Sequence, residues 1–275
     1  MRLRRPATAQ VVGAFLAARA DLAPDTLTRY RYTLGRLTKA HPRLPEDAQT
    51  IETFIASLPV GPDTRDDFWR DLHALYTWAS QRLGVKNGML TARRTKPRKK
   101  LRKTLTDDEL ERLLSRKLSR RDEALVTLIL DTGIRTGEAH SITWPNINKE
   151  TVRVTGKTGD RTITISPATR QALIGLGNAH HLWLGTRGPL TKGGLSRVIR
   201  RTLAAVDIIG GPQRLRHTFA RQWLQNGGNI RTLQEMLGHN NLSTTALYLE
   251  LLPGRAAQDQ ALYSPIARRA KGSQP

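Results

Sequence analysis

A basic stretch near the middle of the chain restricts the fold more than any other feature. Residues 91–105 contain eight Lys and Arg residues and no acidic one, and Pro97 lies near their centre. Because this stretch has no hydrophobic period, it cannot bury one face against a core, and we predict an extended linker. The 275 residues are enough for two compact domains at ~150 residues each. We predict domains over 1–90 and 106–255, followed by a tail over 256–275.

Apolar residues with helical spacing dominate the chain before the linker. They form four stripes, which begin at Val11, Leu27, Ile51 and Phe68. Stripes with this spacing predict a bundle of four helices. The aromatic residues lie on the stripes, which favours a place in the core over a role as stacking platforms for bases.

The chain after the linker begins with helical patterns, changes to strands and returns to helices. Thr106 and Glu109 have the spacing of a helix capping box, and a second helix is expected to end at Gly133. Two alternating segments separated by the glycine-containing 156–160 predict a β-hairpin. The predicted strands cover 151–155 and 161–165, and the later helices cover 167–176, 195–206, 213–225, 230–237 and 243–251. The predicted fold class is therefore mostly α with a small antiparallel β-sheet (α+β), built from an N-terminal helical bundle and a mostly helical C-terminal domain.

The net charge indicates the kind of partner. The chain carries 45 Lys and Arg residues against 23 Asp and Glu residues, a formal charge of +22. Such an excess predicts a polyanionic partner. The chain has no cysteine, which excludes disulfides, thiolate zinc sites and cysteine nucleophiles.

The hydropathy pattern excludes a membrane span. The longest apolar run, 124–130, is interrupted by Thr127 and is far shorter than the ~20 residues that cross a bilayer. The basic N-terminus is not followed by the apolar stretch and cleavage site of a signal peptide. We therefore predict a cytoplasmic protein with no membrane partner.

Residues suited to phosphate chemistry are spread along the second domain. Arg135 follows a helix-ending glycine, Lys157 lies at the hairpin tip, and Gln213 and Arg216 share a helical face. Farther along, the chain also contains His239 and Tyr248. Each of these residues alone is typical of a solvated charge or a structural side chain.

Together these residues resemble the tyrosine recombinase (phage integrase) family. The segment LDTGIRTGEA (130–139) is similar to the family's first arginine box, and VTGKTGDR (154–161) is similar to its lysine hairpin. LRHTFA (215–220) is similar to the second arginine box, and LGHNNLSTTALY (237–248) is similar to the His-to-Tyr segment. The four segments follow one another in the family's order. The likeness extends over roughly 106–255, and the module at about 8–85 looks like the family's SAM-like core-binding domain. The resemblance implies a short, two-domain member with a catalytic domain over 106–255.

The chain departs from the family pattern at one position. The second box normally begins with a histidine three residues before the arginine, and Gln213 holds that place here. A glutamine amide can donate a hydrogen bond to a phosphate oxygen, but it does not exchange a proton near neutral pH. We expect Gln213 to keep a positioning contact only.

The resemblance implies a reaction in which a tyrosine hydroxyl attacks a DNA phosphodiester. Tyr248 would be the nucleophile, leaving a 3′-phosphotyrosyl enzyme and a free 5′-hydroxyl. Arg135 and Arg216 would bind the non-bridging oxygens, Lys157 would protonate the leaving 5′-oxygen, and His239 would hydrogen-bond the phosphate. Neither a cofactor nor a metal is required, and the sequence contains no phosphate-binding GxxxxGK loop.

Two further residues, Glu138 and Tyr263, have other expected roles. Glu138, on the same turn as Arg135, is expected to support the site rather than to react. Tyr263, near the C-terminus, is the rival nucleophile. We favour a docking role for Tyr263 on a neighbouring protomer, because tail exchange in this family would place it there.

The implied partner is double-stranded DNA. The linker cations would contact its phosphates; they are Arg93, Arg94, Lys96, Arg98, Lys99, Lys100, Arg102 and Lys103. The resemblance also implies self-association into a synaptic tetramer on DNA, with accessory DNA-bending or directionality proteins, in the cytoplasm of a bacterial, archaeal or phage-host cell.

Three alternative functions fit part of the sequence. A type IB topoisomerase uses similar residues but reseals the same strand. A non-catalytic DNA-binding protein could keep the scaffold without the reaction. A basic RNA-binding protein is the third alternative, but the sequence contains no aromatic stacking motif of that class.

Overall fold

The chain forms two compact units in a computed structural model that describes residues 5–97, 103–156, 159–177, 181–238 and 245–249. The first unit covers residues 1–100 and the second covers residues 101–275. The described part of the chain is mostly helical with small antiparallel sheets, which confirms the predicted fold class. None of the described helices is long and apolar enough to cross a bilayer.

The N-terminal unit contains the four predicted helices: α1 (Thr8–Ala17), α2 (Pro24–Ala40), α3 (Ala48–Ser57) and α4 (Pro62–Leu83). Their apolar stripes meet in one core, in which Phe15, Leu34 and Leu72 are fully buried. Asp47 caps α3, since its side chain accepts a hydrogen bond from the Thr50 backbone N–H at 2.8 Å. The aromatic residues of the stripes are thus used for packing, as their spacing predicts.

The C-terminal unit begins with three helices: α5 (Asp107–Ser115), α6 (Arg120–Thr132) and α7 (Thr136–Ser141). The predicted capping box starts α5, because Thr106 and Glu109 exchange side-chain and backbone hydrogen bonds. Gly133 ends α6 in the left-handed conformation, with φ at 62°. The six residues of α7 are too few to show a helical period, and the sequence did not predict this helix.

An antiparallel hairpin follows, formed by β1 (Thr151–Gly156) and β2 (Gly159–Thr164). Thr151 pairs with Thr164, and the ladder continues to Gly156 opposite Gly159. The first strand thus ends one residue later than predicted, and the second begins two residues earlier and ends one residue earlier. Glycines at the ends of both strands can pair next to the turn. Val152, Val154 and Ile163 point into the core, while the hairpin tip at 157–158 lies outside the described residues.

The described chain after the hairpin contains four helices and the two-residue strands β3 (Leu184–Gly185) and β4 (Gly188–Pro189), which the sequence did not predict. The helices are α8 (Pro167–Ile174), α9 (Lys192–Ala204), α10 (Pro212–Gln225) and α11 (Ile230–Leu237). These helices lie within three residues of the predicted bounds. Of the predicted helix over 243–251, only 245–249 is described, and the tail over 256–275 lies outside the described residues.

The chain segment just before α5 is attached to α10. The side chain of Leu105 is fully buried, and its backbone N–H donates to Thr218 Oγ1 at 2.8 Å. Arg214 donates from Nε and Nη2 to the Thr104 carbonyl at 3.2 Å, and Arg221 donates to the Leu105 carbonyl at 3.1 Å. The end of the predicted linker is therefore part of the C-terminal unit.

Candidate active site

The turn between α6 and α7 places Arg135. Its backbone N–H donates to Glu138 Oε2 at 2.9 Å, which closes the first turn of α7. The guanidinium, whose side chain is 37% exposed, donates to the Gly238 carbonyl at 3.3 Å. The backbone N–H of Arg135 therefore fixes the start of α7, while its guanidinium reaches the end of α11.

Arg216 lies on α10 and is buried, with a residue exposure of 3%. Its guanidinium donates to the carbonyl of Gly133 and to that of Leu237, the latter at 2.7 Å. Burial, and after it the positive charge of Arg135, lowers the pKa of Arg216 to about 10. The side chain stays charged at neutral pH, so two cations meet beside the last residues of α11.

Glu138 provides the negative charge that balances these cations. Its side chain is 3% exposed and accepts hydrogen bonds from Arg161 Nε at 3.3 Å and Nη2 at 3.1 Å. Burial acts to raise the pKa of Glu138, but the hydrogen bonds from Arg161 and from the Arg135 backbone N–H outweigh it and lower the pKa. Glu138 is therefore ionised and connects the start of α7 to Arg161 of β2.

Arg161 joins three elements of the site, although the sequence interpretation gave it no role. From β2 it binds Glu138 on α7, and it also donates to the carbonyls of Glu235, at 3.3 Å, and Met236 on α11. One signal pointed to it: Arg161 lies two residues before buried Ile163, so both point to the same face of the strand. An arginine on the buried face of a strand indicates a buried partner.

Tyr248 is buried in a small apolar cluster of the C-terminal unit. Its neighbours there include Phe219 and Leu224 of α10 and Leu233 and Leu237 of α11. The tyrosine hydroxyl lies 2.8 Å from Nδ1 of His217. His217 was not among the predicted site residues; its position next to Arg216 on α10 was the only sequence signal for it.

The other predicted site residues have different outcomes. Gln213 is the second residue of α10, and its side chain is exposed, one turn before Arg216. Lys157 and His239 lie outside the described residues. The structure thus brings together Arg135 and Arg216, adds Glu138, Arg161 and His217 around them, and buries Tyr248 beside the same helices.

The predicted DNA-binding residues of the linker are described in part. Arg93, Lys96 and Lys103 are exposed. Arg94 forms a bidentate ion pair with Asp66 at 2.8 and 3.0 Å, and its guanidinium lies 5.2 Å from the ring centroid of Trp69. Outside the described residues are Arg98, Lys99, Lys100 and Arg102.

Comparisons with known proteins identify the family. The sequence model of the phage integrase family matches residues 103–255. The chain is 33% identical over 226 residues to tyrosine recombinase XerC of Staphylococcus epidermidis, a match that covers 74% of this chain and 76% of that protein. It is also 33% identical over 147 residues to tyrosine recombinase XerD of Corynebacterium glutamicum, which covers 48% of each chain.

Solved structures share the fold. A lambda integrase dimer (residues 75–356) bound to a COC′ core site has a TM-score of 0.75 at 19% identity, over 87% of this chain and 94% of that one. The Tn1549 transposon integrase in complex with transposon right end DNA has a TM-score of 0.74 at 17% identity, over 94% of this chain and 99% of that one. The matched family domain contains every motif that carries the predicted site, from the first arginine box to Tyr248. The chain therefore belongs to the phage integrase family, the tyrosine-type site-specific recombinases.

Proposed function

We propose that this protein cleaves and rejoins double-stranded DNA through a covalent bond to Tyr248. The observation that carries the proposal is the meeting of two guanidiniums at the end of α11. Arg216 donates to the carbonyl of Leu237, and Arg135 donates to that of the next residue, Gly238. The same helix end packs against the cluster that contains Tyr248. Two fixed cations and a tyrosine hydroxyl are the groups that a phosphodiester transfer requires.

The two arginines would stabilise the negative charge that develops on the phosphorane. Guanidiniums present forked N–H donors, which match two phosphate oxygens at once. Because Arg216 is desolvated and held by carbonyls of α6 and α11, little reorganisation is needed when the charge develops. Lys157 would protonate the leaving 5′-oxygen, and His239 would hydrogen-bond the phosphate. Gln213, exposed at the start of α10, would keep a positioning contact with DNA.

The reaction conserves the energy of the broken bond in the phosphotyrosyl ester, so strand rejoining needs neither ATP nor a bound cofactor. The 5′-hydroxyl of a partner duplex would attack that ester and restore the phosphodiester. This exchange distinguishes a recombinase from a topoisomerase of type IB, which reseals the original strand.

The distribution of positive charge supports a protein that clamps DNA. We infer that several copies of the chain act together on the DNA. We assign the exposed linker cations to the DNA backbone, where each phosphate contact releases counterions. The lambda integrase relative is a dimer bound to its core site. By likeness, we propose that this chain forms a dimer on DNA and that two such dimers pair into a synaptic tetramer. Tyr263 would lie in a tail that is exchanged between protomers. Accessory DNA-bending or directionality proteins would take part, and the reaction would take place in the cytoplasm.

The decisive experiment traps the covalent intermediate. The purified protein is incubated with nicked duplexes made from a fragment library of bacterial DNA, from which the short 5′ fragment diffuses after cleavage. Protein–DNA adducts that survive denaturation are sequenced, which also identifies the target site. We expect Tyr263→Phe to form adducts and Tyr248→Phe to form none. The opposite pattern would assign the nucleophile to Tyr263.

Two other outcomes would replace the proposal. Relaxation of supercoiled plasmid by the wild type, without recombinants between two copies of the recovered site, would indicate a topoisomerase-like activity. DNA binding without adducts on any fragment would indicate a non-catalytic DNA-binding protein on the recombinase scaffold.

A further inference from the structure

We propose that His217 accepts the proton that Tyr248 loses when it attacks the phosphate. This inference deepens the proposed function and rests on Tyr248 as the nucleophile. It assigns a catalytic role to a residue outside the predicted set of Arg135, Lys157, Gln213, Arg216, His239 and Tyr248.

The geometry of the pair carries the proposal. Nδ1 of His217 and the Tyr248 hydroxyl are 2.8 Å apart, within the range over which a general base removes a proton directly. The two rings are tilted by 53° with centroids 5.6 Å apart, so they meet through the polar atoms rather than by stacking. When the imidazole proton is on Nε2, Nδ1 is the acceptor and the tyrosine hydroxyl is the donor.

The surroundings of Tyr248 make a nearby proton acceptor necessary. The residue is fully buried among apolar side chains of α10 and α11. A free tyrosine has a pKa of ~10, so only about one hydroxyl in a thousand is ionised at pH 7. A phenolate surrounded by apolar groups is costly unless its proton is taken by a bonded partner. His217, half-buried on α10, is placed to be that partner.

The residue at the usual position of the family's second-box histidine cannot act as the base. Gln213 is one turn earlier on α10, has an exposed side chain and carries an amide that does not take up a proton near neutral pH. A neutral imidazole, with an ordinary pKa of ~6.5, does so readily. α10 therefore provides a proton acceptor four residues after the position at which the family motif would place a histidine.

Arg216 links the acceptor to the phosphate. It precedes His217 on the same helix, and it donates to the carbonyl of Leu237, a residue of the apolar cluster that contains Tyr248. The cation that would hold the phosphate and the imidazole that would take the proton are thus on adjacent residues of one helix. Both side chains are therefore carried by the same helix, α10.

Cleavage moves one proton to His217 and takes one proton from Lys157. The Tyr248 oxygen forms a bond to phosphorus while its O–H bond breaks and the proton moves to Nδ1 of His217. The bond between phosphorus and the 5′-oxygen breaks, and that oxygen takes a proton from Lys157. In rejoining, the attacking 5′-hydroxyl returns its proton to Lys157, and the imidazolium of His217 protonates the departing Tyr248 oxygen.

The test measures the rate of covalent adduct formation on a nicked duplex that carries the recovered target site, from pH 5.5 to 9.5. His217→Ala should lower the rate by roughly 10²- to 10⁴-fold at pH 7, the usual contribution of a general base. The remaining rate should rise about tenfold per pH unit, because it then depends on spontaneous ionisation of the tyrosine. Added imidazole should restore part of the rate.

Two further variants separate proton transfer from positioning. His217→Asn places an amide oxygen near the Nδ1 position, so it keeps an acceptor for the tyrosine hydroxyl without taking up its proton. It should remain as slow as His217→Ala. A fluorinated tyrosine at position 248, whose phenol is more acidic, should accelerate both His217 variants far more than the wild type. His140→Asn, an exposed histidine of the same unit, is the matched control and should leave the rate unchanged.

The outcomes distinguish a failure of the role given to His217 from a failure of the role given to Tyr248. Wild-type rates in His217→Asn would reduce His217 to a positioning residue and overturn the proposal. So would an unchanged pH profile in His217→Ala. If His217→Ala does not fold, as measured by its thermal unfolding, the asparagine variant and the fluorotyrosine protein provide the same test. Adduct formation by Tyr248→Phe would instead overturn the proposed function itself.

Discussion

Neutralising Glu138 should destabilise the C-terminal unit by several kcal/mol. Its carboxylate is 3% exposed and accepts N–H donors from two arginines, including both donors of a bidentate pair with Arg161. Glu138→Gln keeps the volume of the side chain but replaces one accepting oxygen with an NH₂ group. The NH₂ group directs its own N–H donors toward the guanidiniums of Arg135 and Arg161. The positive charges of these arginines are then no longer compensated.

The size of the effect follows from the burial of the pair. Removing one partner of a buried ion pair costs ~3–5 kcal/mol. The Arg161 side chain is 16% exposed and keeps its bonds to the carbonyls of Glu235 and Met236, so the lower end, ~3 kcal/mol, is expected. The double variant with Arg161→Gln should lose less than the sum of the two single variants, with a coupling of ~0.5–3 kcal/mol.

The assay is urea unfolding of the full chain, with the transition of the C-terminal unit assigned by hydrogen exchange. Glu111→Gln, which removes an exposed carboxylate from α5, is the control and should change stability by less than ~0.5 kcal/mol. A loss in Glu138→Gln no larger than in this control would show that the buried carboxylate does not stabilise the C-terminal unit.

The pH dependence gives the same reasoning a second test. The pKa of Glu138 is lowered in the folded chain, so its contribution is complete above the unfolded value of ~4.3 and is lost as the pH falls through the folded value. The stability difference between wild type and Glu138→Gln should therefore be constant from about pH 6 to 8 and should shrink below about pH 4. A difference that grew on acidification would contradict the assigned sign.

Three other perturbations have defined outcomes. Gly133→Ala should lower stability by ~1–3 kcal/mol in thermal unfolding, because the new Cβ would collide with the ring of Phe219 and because φ at this position is +62°. Gly137→Ala, whose new Cβ would have no contact closer than 3.4 Å, is its control. Thr218→Val should cost ~1–3 kcal/mol, because it leaves the buried N–H of Leu105 without its acceptor. Replacing the linker cations over 93–103 with glutamine should weaken DNA binding and lower its salt slope by ~0.9 per lost phosphate contact. Cleavage at saturating DNA should largely survive, and a linker variant that binds normally but does not cleave would contradict this division.

Local patterns predicted most of the elements and the motif residues. The stripes from Val11 to Phe68 and the capping box at Thr106 are short-range signals, and each led to a helix at its expected place. Arg135 and Arg216 were identified from the segments around them. The structure places both beside the end of α11, as a shared site requires.

The missed features depend on contacts between residues far apart in the chain. His217 meets a tyrosine 31 residues later, and Arg161 reaches a glutamate 23 residues earlier and a carbonyl 75 residues later. No local period encodes such a pairing. Burial of a charged or polar side chain is the physical signal for it, and that becomes visible only when the surrounding helices are placed.

The attachment of residues 104 and 105 to α10 has a mechanical consequence. Four hydrogen bonds connect these residues to one face of that helix, two at Arg214 and one each at Thr218 and Arg221. A force applied to the chain at residue 104 would therefore act on the helix that bears Arg216 and His217.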